Sequence, residues 1–350
     1  MFASPNNLLF LQGPNLVAQH FDPELMQVSG EPKIVAGPVQ QDDRFGGGFS
    51  ATAEGSLLYA LGAQTGVALT WFSPGGSPGE TVALQPFNNI RLSPNGSKLA
   101  ASILDEEGGM LQLWTFDLHR RTSSRFTFDT ADHDDATWSP DGQELAFESA
   151  MGNSHRIFRK RTDGSQPEEL LWEDHAIIFL SSWSRDGKYL AYDKVVRGQQ
   201  DIWILPLSGD RKPFPYLASD ATEHFADFSP DGKWIAYSST ASGKEQVYVA
   251  TFPDPHARFQ VSNSGGAYPR WRGDGKGLFY FDADSNIAAV SISTHGDTAE
   301  LGTPHILLQV PGVSSGFSLA VKDQGQQFLV PHYPGLIPTN LILATNWDQN

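Results

Sequence analysis

The chain has 350 residues, 39% of them hydrophobic, and its 22 Phe, 9 Trp and 9 Tyr are ample for a large packed core. With 40 Asp plus Glu against 24 Lys plus Arg the net charge is −16, a balance that repels phosphate backbones and argues against nucleic acid and anionic membrane as partners. The absence of cysteine excludes disulfides, thiolate catalysis and Cys-ligated zinc, and no apolar run approaches the roughly 18 residues of a membrane span.

In chain order, the first element is "FASPNNLLFLQG" (2–13). It has no basic leader and no apolar stretch of signal-peptide kind. It reads as a worn copy of a unit that returns along the chain, so the sequence is expected to be a piece of a longer protein. The further copies are "FSATAEGSLLYALG" (49–62), "IRLSPNGSKLAASI" (90–103), "ATWSPDGQELAFES" (136–149), "SSWSRDGKYLAYDK" (181–194), "FADFSPDGKWIAYSS" (225–239), "PRWRGDGKGLFYFD" (269–282) and "LAVKDQGQQFLVPH" (319–332). Their turn glycines, Gly55, Gly96, Gly142, Gly187, Gly232, Gly275 and Gly325, stand 41 to 50 residues apart. A period in the forties belongs to propeller blades or helical repeats. The alternation in "KWIAY", "KYLAY" and "QVYVATF", bounded by Gly, Pro, Asp and Ser, is that of strands. The expectation is an all-β protein: one β-propeller domain over 1–350, built from four-stranded antiparallel blades. Eight motifs favour eight blades closed near the termini, with seven blades as the alternative. Strands are expected near Leu8–Leu11, Leu16–Phe21 and Lys33–Ala36, and the last copy is expected to continue through 341–345.

The repeated turn carries its own explanation. Pro230 presets φ at the first corner, Asp231 bonds backbone two residues on, and Gly232 supplies a left-handed conformation. Its aspartates are therefore read as turn formers. The large residue before the motif serine, Leu92, Trp138, Trp183, Phe228 or Trp271, is read as packing between blades.

These residues resemble a family. The "WSPDG…LAY" motif is similar to the WD-like blade repeat of TolB and of tricorn- and prolyl-oligopeptidase-type propellers. The longer segments "LLFLQGPNLVAQHFDPELMQVSGEP", "SRFTFDTADHDDATWSPDG", "DIWILPLSGDRKPFPYL", "QVYVATFPDP" and "YPRWRGDGKGLFYF" resemble the C-terminal extracytoplasmic propeller region of bacterial transmembrane serine/threonine kinases. The resemblance implies a propeller with a sensing or interaction role. The chain carries no kinase glycine loop, H-R-D or D-F-G, so it is not itself the kinase.

Candidate chemistry is sparse. "GGSPG" (75–79) matches G-x-S-x-G around Ser77, but prolines flank the serine and no helix is expected after it. "DADSN" (282–286) opens like a calcium loop, yet Ile287 stands where glycine is required and Ser293 where glutamate is required. Asp132, His133, Asp134 and Asp135 are weak candidates for a metal site. Five residues before the motif serine position stand Gly47, Asn88, Asp134, Phe179, His224, Ala267 and Phe317, a mixed set that repeats no ligand and from which Asn88, Asp134, Phe179, His224 and Phe317 are taken forward. These are the candidate ligand-binding residues at the channel mouth, together with the loops Asp105–Met110, Met151–Arg156 and Val196–Asp201. The set mixes aromatics, amides and acids and suits a polar or cationic ligand.

The leading reading is a non-catalytic binding module without cofactor. It would take a protein, peptide or glycan, act as a monomer, insert in no membrane and form the sensor portion of a kinase-type receptor. It would be extracytoplasmic in that setting and cytoplasmic if it stands alone. The alternatives are a propeller lyase or hydrolase with a metal at the channel mouth, and a TolB-like envelope scaffold.

Overall fold

The structure, a computed structural model, describes residues 2–3, 7–12, 15–37, 39, 49–52, 56–60, 67–84, 87–105, 109–310, 312–313, 319–332 and 341–345. It is all β apart from a single 3-10 turn, Asp323–Gly325, among the described residues. The contacts divide the chain into two compact units, 1–66 with 333–350, and 67–332.

The smaller unit holds two sheets. Phe2–Ala3, Asn7–Gln12, Asn15–Asp22 and Gln27–Ala36 form a four-stranded meander, and Leu341–Thr345, Ser56–Ala60 and Phe49–Ala51 form a three-stranded sheet. Leu9, Leu16, Ala18, Ala36, Val39 and Leu57 make its core.

The larger unit is a β-propeller of six sheets. Blade one is Phe87–Leu92, Lys98–Leu104, Leu111–Asp117 and Thr122–Arg125. Blade two is Asp132–Trp138, Glu144–Met151, Ser154–Arg161 and Glu169–Asp174. Blade three is Ile178–Trp183, Tyr189–Val196, Gln199–Pro206 and Phe214–Leu217, and blade four is Glu223–Phe228, Trp234–Ser239, Gln246–Thr251 and Arg258–Gln260. Blade five, Ala267–Trp271, Gly277–Phe281 and Ile287–His295, carries both Thr298–Leu301 and His305–Leu308 on its third strand. Blade six joins the two ends of the unit. Ala320–Lys322 and Gln327–His332 supply its inner strands, and Ala68–Phe72 and Pro78–Leu84 its outer ones. Phe328 lies opposite Phe72 and His332 opposite Ala68.

Among the described residues of 67–332 the ring closes on six sheets, because the sheet of 320–332 is completed by 68–84, where eight blades, or seven, were expected for the chain. The stretch 341–345 does not continue that last sheet. It pairs with Ser56–Ala60 in the smaller unit. A ring must join its ends or leave open edge strands, and here the joining strands come from 67–84.

Neighbouring blades bury apolar faces against one another. Trp138, Phe228 and Trp271 are buried as expected, whereas Trp183 is half-buried. Between blades four and five, Trp234, Val247 and Val249 pack with Trp271, Leu278 and Tyr280. Between five and six, Phe279 and Ile287 meet Phe72, Phe328 and Val330.

The repeated turn folds as its residues dictate. In blade four the Gly232 amide donates to the Ser229 carbonyl at 2.9 Å. Asp231 Oδ1 accepts from the Lys233 amide at 3.1 Å, and Gly232 sits at φ +69°. The serine adds a brace: Ser229 Oγ donates to Asp231 Oδ1 at 2.6 Å and accepts from the Trp234 amide at 2.9 Å. Ser139 and Ser184 repeat both bonds. Blade five has Arg272 at this position, and its guanidinium grips Asp274 at 2.7 Å instead.

Candidate functional site

The six inner strands line the ring axis, and they carry the site. Five of them are bulged: register shifts fall between Phe87 and Ile90, Asp134 and Thr137, Leu180 and Ser182, His224 and Asp227, and Ala267 and Arg270. In three of these the residue after the expected mouth position turns left-handed, at Asp135 (φ +46°), Phe225 (φ +58°) and Tyr268 (φ +54°). A bulge inserts one unpaired residue and re-aims its side chain.

The bulges decide which expected residues meet. Asn88 is exposed and its amide donates to Asp134. Beside it, Asn89 donates to Asp135. His224 Nε2 lies 2.6 Å from Glu245 Oε1, and its ring stacks on Phe225 at 4.0 Å. Phe225 stacks on Tyr268 at 3.8 Å, so three aromatic rings from blades four and five form a ladder. Phe179 is half-buried and faces Asp193 across its strand pair. Phe317 lies outside the described residues, as does part of the loop 105–110.

The four metal candidates are not brought to one point. Asp132 Oδ1 accepts the Leu111 amide at 2.8 Å. The His133 ring turns back to Asp129 at 2.6 Å and packs edge-on to Phe147. Asp134 and Asp135 take separate asparagines from blade one. Among the described residues no group of three or more His, Asp or Glu is arranged to hold a metal ion. Ser77 is exposed in a loop between two outer strands, and the element after it is the strand Pro78–Leu84, so an elbow's helix is missing there. Asp282 accepts the amides of Asp284 and Asn286 at 2.9 and 2.8 Å, which closes an ordinary polar hairpin turn.

Sequence reasoning missed the buried acids behind the mouth. Burial pushes the Asp135 carboxyl well above its ordinary value. The neighbouring Asp134 and Glu148 charges push it further, while Arg91 pulls it back. Burial likewise raises Asp134 and Glu148. Glu148 Oε1 lies 2.8 Å from His155 Nδ1, and that bond raises the His155 imidazole. Asp193 is pushed up to about 6 by burial, although it accepts from the Phe225 amide at 2.9 Å and from Ser181 Oγ at 3.1 Å. Counting four residues before the motif serine, instead of five, finds Asn89, Asp135 and Phe225. The same count from Arg272 finds Tyr268.

Comparison with known proteins agrees with this geometry. A model of the TolB beta propeller domain matches residues 80–214. The fold is a TolB-like β-propeller. A TolB-type structure from Agrobacterium tumefaciens superposes with a TM-score of 0.60 at 18% identity, covering 78% of this chain and 100% of that one. The oligogalacturonate lyase of Vibrio parahaemolyticus gives 0.51 at 10% identity, covering 80% and 94%. The Cps50 (Swd1) propeller domain of Myceliophteria thermophila gives 0.51 at 12%, covering 74% and 85%. At these identities the likeness is one of fold, which binding proteins and enzymes share. Among the described residues no helix is long and apolar enough to cross a membrane.

Proposed function

We propose that the chain is a non-catalytic binding module that holds a polar or cationic group of a protein, peptide or glycan at the acidic mouth of the ring. One observation carries this reading. The bulged inner strands set the His224–Phe225–Tyr268 ladder on the same mouth as the raised carboxyls of Asp134, Asp135 and Glu148. Aromatic faces beside carboxylates favour a cation or a polar ligand edge over an anion. Asn88, Asp134, Phe179 and His224 stay in the proposed site, with Phe225 and Tyr268 added, and Phe317 is kept from the sequence expectation. The resemblance of the long segments to kinase-linked propellers supports a sensor portion of a receptor, extracytoplasmic and monomeric. A TolB-like envelope scaffold would use the same surface. A lyase or hydrolase would need Asp132, His133, Asp134 and Asp135 on one ion, and they hold four separate partners.

The test is an array of short peptides and glycans probed with the intact protein. The reading expects binders rich in lysine, arginine or amines, unaltered in mass after incubation. Tyr268→Ala should weaken them roughly tenfold, the scale of a lost desolvated cation–π contact, while Ser77→Ala leaves them unchanged. Chemical conversion of an arrayed compound, or full binding by Tyr268→Ala, would overturn it.

A further inference from the structure

The opposite end of the same axis has a different chemistry. Inside the Pro-Asp-Gly turns lies a cavity of about 190 Å³, bordered by all six inner strands or the residues adjoining them. At roughly 30 Å³ per water it holds a small polar group and not a folded segment. In a chain of net charge −16, its wall carries Arg91, Arg185 and Arg270 against the single carboxylate of Asp227.

Those cations are only partly spent. Arg91 reaches across the axis and donates through Nη2 to the Ser181 carbonyl at 2.9 Å. Its Nη1 is buried with no hydrogen-bond partner. Ser182 and Trp183 line the same cavity, and Ser182 Oγ and the Trp183 indole Nε1 are also buried without partners. In blades two and five the matching indoles are satisfied: Trp138 donates to the Arg91 carbonyl at 2.9 Å and Trp271 to the Asp227 carbonyl at 3.1 Å. Arg270 leans on Asp227 at 3.6 Å and on the Leu319 carbonyl at 3.3 Å, which leaves donor capacity in its five-donor fork. Arg185 is exposed at the rim. Buried donors without acceptors cost free energy unless a ligand or water accepts from them. Guanidinium groups match a carboxylate's two oxygens by geometry as well as charge.

We propose that this cavity is a carboxylate-binding site, in which Arg91, Arg185, Arg270, Ser182 and Trp183 donate to one planar carboxylate entering from the Pro-Asp-Gly face. The group is a chain-terminal carboxylate or a small free acid, since 190 Å³ admits little more. The Arg91 guanidinium also faces Asp135 and Asp193, so it is shared with the acidic mouth, but the proposal does not rest on the reading given to that mouth. Asp227 is the one carboxylate of the lining, and the cations facing it are Arg91, Arg185 and Arg270. It is pushed up to about 6 by burial. Lowering the pH from 8 to about 5.5 therefore removes part of the repulsion while a terminal carboxylate stays ionised.

Calorimetric titration of the intact protein tests this with three probes: acetate, a short neutral peptide with a free C-terminus, and the same peptide amidated. A terminal site binds the free peptide and loses at least about tenfold on amidation. A small-acid site binds acetate and ignores both peptides. Either result supports the proposal if Arg185→Gln weakens binding several-fold, Arg185→Lys restores part of it, and affinity rises toward pH 5.5. Arg185 is exposed, so the melting temperature should not move, and Arg91→Lys gives a second variant inside the cavity. The absence of binding by every carboxylate probe, or equal binding of free and amidated peptide, would overturn it and leave the donors to water.

Discussion

Asp193 shows how one buried residue ties stability to pH. Its side chain is 1% exposed as a residue, and it bridges blades three and four by accepting from Ser181 Oγ and the Phe225 amide. Burial raises its carboxyl from 3.8 to about 6. The folded protein therefore holds this proton more tightly than the unfolded chain does. The stabilisation is fully present below the unfolded pKa of about 4 and is lost as pH rises through about 6. A shift of this size corresponds to about 3 kcal/mol. Asp193→Asn carries no charge at any of these pH values. Urea-unfolding free energies of the two proteins between pH 4 and 7 should show the wild type losing more stability by about that amount. The variant will carry a constant offset for the bond that an amide cannot accept. Parallel pH profiles would mean that Asp193 is not held as described. Nothing in the sequence marked this residue, because "AYDK" reads as an ordinary alternating strand, and only the fold shows that Asp193 is buried between blades three and four.

At the scale of elements, the turn and the bulge differ in how far the sequence exposed them. Proline, Asp and Gly each meet a local demand, so the turn was readable from four residues. Gly232 has nothing within 4 Å of where a Cβ would stand, and its φ is +69°. Gly232→Ala therefore meets no clash, only the strain of a left-handed Cβ, and should lower the urea-unfolding free energy by about 1 kcal/mol. An unchanged midpoint would show that the turn relaxes. The serine brace was not anticipated, because a serine before proline carries no distinctive pattern. Neither were the bulges. Asp135, Phe225 and Tyr268 are not residues that favour positive φ as glycine does. Their conformation is imposed by the need to fit inner strands around the axis. That is why the expected mouth positions reached His224 but fell one residue short of Phe225 and Tyr268.

For the whole molecule, the repeat period revealed the propeller but not which copies share the ring of 67–332. Motif copies were counted as blades. The copies at 2–13 and 49–62 instead fall in the smaller unit, and strands 68–72 and 78–84, which carry no blade turn, complete the last sheet. Strand pairing between segments some 260 residues apart leaves no local mark. The two ends of the axis then follow from which inner-strand positions carry acids and which carry arginine, a pattern visible only once the six strands stand side by side.

The closing sheet is the central claim, and a cross-link tests it directly. The chain has no cysteine, so Ala68→Cys with His332→Cys introduces two thiols at positions that face each other across the joining strands. Mild oxidation of the folded protein should convert this pair to an intramolecular disulfide, seen as a loss of two thiols by mass and a faster non-reduced band. The off-register pair Leu69→Cys with His332→Cys should remain reduced, because a one-residue shift points its side chains to opposite faces. Free thiols in the Ala68/His332 pair of a folded protein, or equal cross-linking of both pairs, would contradict a six-bladed ring closed by strands 68–72 and 327–332.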